Sequence, residues 1–131
     1  MRRQLRTALP ILLLVASLVA VASCNSKSNP TGPGGGTTAN LVIHIQNGSS
    51  QAGASAFSPN PASVKVGQTV QWMNNDGMTH TATATAGGSF NVSVSAGSAS
   101  SVVTMPANPA TISYHCAIVG HNMTGTINVT P

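Results

Sequence analysis

From residue 40 to the C terminus, apolar and polar positions alternate over short stretches, and no apolar run repeats at helical spacing over a useful length. Alternation with a period of two, in segments rich in Val, Ile and Thr, predicts half-buried β-strands. Eight segments qualify, at 41–46, 63–66, 69–74, 80–86, 90–94, 99–104, 111–116 and 125–130. The breaks carry turn chemistry: Ser58-Pro59-Asn60-Pro61, Val66-Gly67-Gln68, Asn75-Asp76-Gly77, Gly87-Gly88, Ala96-Gly97 and Pro106-Ala107-Asn108-Pro109. Pro106 and Pro109 cannot sit inside a central strand, because each lacks the N–H that a ladder needs. Eight short strands in about ninety residues predict an all-β fold, a β-sandwich forming a single domain over 40–131.

Because successive side chains of a strand point to opposite faces, parity sorts the four histidines. Leu41, Ile43 and Ile45 share one face, which sends His44 to the solvent side with Val42 and Gln46. Ile112, Tyr114 and Cys116 share the apolar parity of their strand, so Cys116 points inward and His115 outward. His80 falls with Ala82, Ala84 and Ala86 on the small apolar parity and also points inward. In the last strand Gly125, Ile127 and Val129 alternate against Thr126, Asn128 and Thr130, and Met123 lies on the apolar parity. His121 falls on the loop between Cys116 and that strand.

The N-terminal region follows a different pattern. Arg2, Arg3 and Arg6 precede an apolar run over 8–22, broken only by Pro10 and Ser17. A charged n-region followed by an apolar h-region reads as an export signal over 1–23, the run being shorter than the roughly 20 residues a membrane span needs. Two cleavage patterns overlap. Ala20-Val21-Ala22 fits an A-x-A site, whereas Val21-Ala22-Ser23-Cys24 resembles a bacterial lipobox with Val in place of the usual Leu, in which Cys24 becomes lipidated and N-terminal. Residues 24–39 favour the second, since this Ser, Asn, Thr, Pro and Gly segment cannot bury a core and would serve as a flexible spacer for a tethered domain. The expected location is therefore the periplasm or extracytoplasmic face, with the membrane held through lipid on Cys24.

Composition narrows the chemistry. The formal charge of +4 comes mostly from the signal, and a product beginning at Cys24 keeps only Lys27, Lys65 and Asp76, a net +1. No basic patch exists for nucleic acid. Asp76 is the only carboxylic side chain, which excludes glycosidases and carboxylate-bridged hydrolases, and no Gly-x-Ser-x-Gly elbow is present. No enzymatic activity is expected. With Cys24 lipidated, Cys116 is the one thiol left and has no disulfide partner. A lone thiol in an oxidising compartment is exposed to oxidation unless it is buried or ligates a metal.

Metal ligation has the right neighbours. The stretch Tyr114-His115-Cys116-Ala117-Ile118-Val119-Gly120-His121-Asn122-Met123 brings a thiolate, an imidazole and a thioether into one short loop. Thiolate, two imidazoles and a weak axial thioether form the donor set of a blue-copper electron-transfer centre, and the inward-facing His80 is the candidate for the further imidazole. Taken singly, His80 is equally a buried neutral histidine bonded to a carbonyl, and Met123 alone is more often core filler than ligand.

The blocks Phe57-Ser58-Pro59, Val64-Lys65-Val66-Gly67-Gln68-Thr69-Val70-Gln71-Trp72, Asn74-Asn75-Asp76, His80-Thr81, Tyr114-His115-Cys116 and Gly125-Thr126-Ile127 resemble, in order and spacing, a plastocyanin/azurin-type cupredoxin. The resemblance implies a Greek-key sandwich with one type 1 copper at its tip, held by His80, Cys116, His121 and, axially, Met123. Two departures stand out. Only Asn122 separates His121 from Met123, closer than is usual, so a carbonyl competes with Met123 for the axial place; and Thr81 stands where many members carry Asn, its hydroxyl available for part of the same hydrogen bonding. The implied activity is single-electron shuttling between redox partner proteins, which would dock on an apolar rim of Ile118, Val119 and Gly120 near His121. The expected state is a monomer. Two other readings use the same residues: a copper carrier or buffering lipoprotein that binds Cu(I) exchangeably, and a structural surface sandwich with Cys116 merely buried.

Overall fold

The computed structural model describes residues 38–131; Cys24, the export signal and most of the spacer lie outside the described residues. Nine strands form two sheets: β1 (Leu41–Ile45), β2 (Phe57–Ser58), β3 (Ala62–Lys65), β4 (Thr69–Asn74), β5 (His80–Ala86), β6 (Asn91–Val94), β7 (Val103–Thr104), β8 (Ala110–His115) and β9 (Thr124–Thr130). One sheet has the order β2-β1-β4-β7 and the other β3-β9-β8-β5-β6. The chain changes sheet between β2 and β3, β3 and β4, β4 and β5, β6 and β7, and β7 and β8, so the two layers are stitched together repeatedly. Two pairs are parallel, β1 with β4 and β3 with β9; the remaining pairs are antiparallel.

The alternation read from the sequence maps onto the two inner faces. Ile43 and Ile45 of β1, Val70 and Trp72 of β4, Ile112 and Tyr114 of β8, and Ile127 and Val129 of β9 are all buried, while their strand neighbours face outward or sit half-buried. All four aromatic residues of the chain meet in this core. Tyr114 from one sheet packs against Phe57 and Trp72 from the other, at centroid distances of 4.8 and 5.6 Å, and Phe90 lies 5.1 Å from Trp72. Tilted and edge-on pairs of this kind add about 0.5–1.5 kcal/mol each beyond the area they bury. Gly125 faces Tyr114 across the β8–β9 ladder, where any Cβ would fall inside the phenol ring. Glycine at this point is a packing requirement.

Three segments differ from the sequence expectation. Residues 99–104 do not form one strand; only Val103–Thr104 does. Ser100 is buried and its hydroxyl accepts from the Trp72 N–H at 3.0 Å, so a side chain occupies the place a ladder carbonyl would take. Phe57–Ser58 adds a two-residue strand against β1. Between β1 and β2, two 3-10 turns, Ser49–Gln51 and Ala54–Ala56, occupy a stretch that carries no periodic signal because each is a single turn.

Candidate metal centre

β5 begins, β8 ends and β9 begins at the same end of the sandwich, since β8 runs antiparallel to both. His80 is the first residue of β5, Cys116 follows the last residue of β8, and Met123 precedes the first residue of β9. The intervening loop returns on itself through a turn in which the His121 N–H donates to the Ile118 carbonyl at 3.1 Å. Gly120 occupies the third position of that turn with φ of 85°, a conformation that glycine adopts without steric cost. The tight turn swings His121 back over Cys116.

Three donor atoms converge there. His80 Nδ1 and His121 Nδ1 are 3.2 Å apart, and the Cys116 Sγ lies 3.4 Å from His121 Nδ1 and 3.9 Å from His80 Nδ1. A point equidistant from the corners of this triangle is about 2 Å from each, near the roughly 2.0–2.3 Å that zinc keeps to imidazole and thiolate donors. Imidazole nitrogen and thiolate sulfur are both lone-pair donors of the kind that hold a soft cation. Two imidazoles and a thiolate suit copper. His80 is fully buried and Cys116 nearly so, which leaves the half-buried His121 as the member of the three closest to solvent.

Hydrogen bonds hold each member. The Thr81 N–H donates to Cys116 Sγ at 3.3 Å, and the Thr81 hydroxyl lies 3.9 Å from the same sulfur while accepting from the Ala117 N–H at 2.7 Å. The Cys116 N–H donates to the Met123 carbonyl at 3.2 Å, closing the loop at its base. From the other side, the 3-10 region clamps the loop: Asn122 N–H donates to the Ser50 carbonyl, Gly53 N–H to the Asn122 carbonyl, Thr124 N–H to the Gly53 carbonyl, and the Gln51 amide to the Gly120 carbonyl. Met123 is buried, with its Sδ 4.0 Å from the Ser49 hydroxyl.

His44 and His115 stand apart from this cluster. His44 is exposed and contacts Asn75, while His115 pairs with Thr83 and Thr124 across the sheet. A residue that the sequence places in a turn, with no role as a ligand, lies at the site. Asp76, buried in the β4–β5 turn, accepts from His80 Nε2 at 2.8 Å. The His80 bond, aided by backbone N–H groups and opposed by burial, holds its carboxyl down to about 2. The available signal was a sole carboxylate four residues ahead of an inward-facing histidine.

Residues 43–130 match the model of copper binding proteins of the plastocyanin/azurin family. No curated protein matches the chain. Among solved structures, a purple cupredoxin from Nitrosopumilus maritimus aligns over 70% of this chain and 100% of its own, with 23% identity and a TM-score of 0.59. A reduced Cu(I) form of an amicyanin variant aligns over 68% of this chain and 80% of its own, with 27% identity and a TM-score of 0.50. A copper-containing nitrite reductase from Thermus scotoductus SA-01 shares the fold at 20% identity and a TM-score of 0.54; the alignment covers 70% of this chain and 22% of the larger one. With a converging His80, Cys116 and His121 at the tip of a nine-stranded sandwich, and with the family model spanning nearly all of the described residues, the chain belongs to the plastocyanin/azurin family of copper-binding proteins.

Proposed function

We propose that this protein is a type 1 copper electron-transfer protein in which His80, Cys116, His121 and Met123 would hold the metal. Copper held there supplies a one-electron couple. The observation that carries the reading is the donor triangle itself, with sides of 3.2, 3.4 and 3.9 Å, set by the start of β5 and the loop between β8 and β9. Ligands fixed by β5, β8 and a hydrogen-bonded loop need little rearrangement when the electron arrives or leaves, which favours exchange over storage. A carrier would more naturally place its donors on mobile segments.

The docking surface in this proposal is the tip around His121. Val119 is 98% exposed at the turn, Ile118 is half-buried beside it, and Met78, two residues ahead of His80, is 51% exposed. Among the described residues the only charged side chains are Lys65 and Asp76. Lys65 pairs with Thr130 at the opposite end of β9, and Asp76 is buried, so among the described residues no exposed charged side chain lies at the tip. A redox partner protein would therefore meet an apolar, nearly uncharged face, and association would depend little on salt. Anchoring through lipid on Cys24 in the cell envelope belongs to the same proposal and is supported by the signal and spacer sequence. A monomer suffices for it.

Addition of Cu(II) to the full chain tests the core of the reading: an intense visible thiolate-to-copper band, absent in Cys116→Ser, is expected. A colourless protein that takes up only Cu(I) would overturn it in favour of carriage. His121→Ala should weaken copper binding and abolish electron exchange. For the anchor, intact mass of the membrane fraction should show acylated Cys24, and a soluble product beginning at Ser23 would refute it.

A further inference from the structure

Asp76 is the sole carboxylate side chain of the chain, and it is buried against a histidine of the metal centre. The His80 ring is fully buried, away from bulk solvent, and the Asp76 Oδ2, at 2.8 Å, is the partner of Nε2. An ionised carboxylate only accepts, so Nε2 carries a proton, and in the neutral ring Nδ1 then has the lone pair that faces Cys116 and His121. The carboxylate is itself held on several sides. Gly77 N–H donates to Oδ1 at 2.8 Å and Ser49 N–H approaches Oδ2 at 3.4 Å, while the residue's own backbone N–H is fixed by Asn74 Oδ1 at 2.9 Å. Burying a charge is costly, and a neutral carbonyl would satisfy an imidazole N–H equally well. In a domain with almost no other charge, a carboxylate at this position calls for a reason beyond tautomer choice.

We propose that Asp76 is a positioning residue that sets the electronic character of His80 and biases the centre toward Cu(II), lowering its reduction potential. This rests on the copper electron-transfer reading above. A carboxylate accepting the distal N–H of a ligating imidazole raises its basicity and fixes its ring. Its negative charge, in a poorly solvated position, stabilises the more positive oxidation state over the less positive one. The Ser49 contact ties this device to the 3-10 region that also clamps the ligand loop, so ring orientation and loop position share one support.

The test compares the copper-loaded full chain with its Asp76→Asn variant, which keeps the shape and removes the charge. The visible band should survive, while the Cu(II)-to-Cu(I) affinity ratio falls about tenfold, a rise of about 59 mV for a one-electron couple. A merely structural role would weaken both oxidation states together and leave the potential in place, and that result overturns the proposal. Absence of the band in the unmodified protein would instead defeat the copper reading on which it rests. A second measurement needs no variant: in the Cu(I) form of the unmodified protein, nitrogen NMR should find His80 protonated at Nε2, with that proton protected from exchange. An unprotonated or freely exchanging Nε2 refutes the assignment, whether or not Asp76→Asn folds.

Discussion

Replacing Asn74 by Ala should destabilise the copper-free fold by about 2–6 kcal/mol, a figure set by what its buried amide holds. The Nδ2 group donates to the Met78 carbonyl at 2.7 Å and to the Val94 carbonyl at 3.0 Å, and Oδ1 accepts from the Asp76 N–H at 2.9 Å. Met78 lies in the exposed part of the turn and its carbonyl can return to water. Val94 and Asp76 are buried, so truncation orphans one carbonyl and one N–H, each at about 1–3 kcal/mol. Against a typical total of about 5–15 kcal/mol, that is a large share. Asn74 also joins the end of β4 in one sheet to β6 in the other, beside the turn that delivers His80, so copper affinity should fall as well. Urea unfolding followed by the fluorescence of Trp72, the only tryptophan, measures the loss. Asn75→Ala is the control. Its amide is exposed and contacts only His44, at 3.2 Å, and its removal should cost no more than about 0.5 kcal/mol. Equal effects from the two substitutions would refute the view that the Asn74 side chain holds this turn.

Three further outcomes are expected. Gly125→Ala drives a methyl into the Tyr114 ring and should cost about 1–3 kcal/mol, read as a lowered thermal midpoint; an unchanged midpoint would mean that the β8–β9 ladder relaxes freely. Thr81→Val keeps the strand but removes the acceptor of the Ala117 N–H and the hydroxyl near Cys116 Sγ, so copper affinity measured by competition should drop about tenfold, with retention of full affinity counting against that role. The carboxyl of Asp76 is held down from its ordinary 3.8 to about 2 by the His80 bond, so its contribution to the metal-free protein is present above about pH 4 and is lost as pH falls toward 2. Acid titration by circular dichroism should show that loss in the unmodified protein and not in Asp76→Asn.

The amino-acid sequence by itself determined the strands of the sandwich and the faces they present. Period-two alternation is a local property, and burial of one face leaves little choice of register, which is why Ile43, Ile112, Tyr114 and Ile127 were legible as core. The same parity separated His80 and Cys116 from His44 and His115, and the chemistry of thiolate with imidazole singled out copper. Only the tertiary structure decided the rest. Ser100 breaks a promising strand because Trp72, 28 residues earlier, takes its hydroxyl as an acceptor. Ser49–Gln51 carries no periodic signal, yet it grips the ligand loop through Gln51 and Gly120, 69 residues apart. Asp76 looked like a turn residue until burial removed water from His80 and made a carboxylate its partner. Alternation reports which way a side chain points, whereas a hydrogen bond depends on which distant atom waits there, and that becomes defined only when the two sheets close.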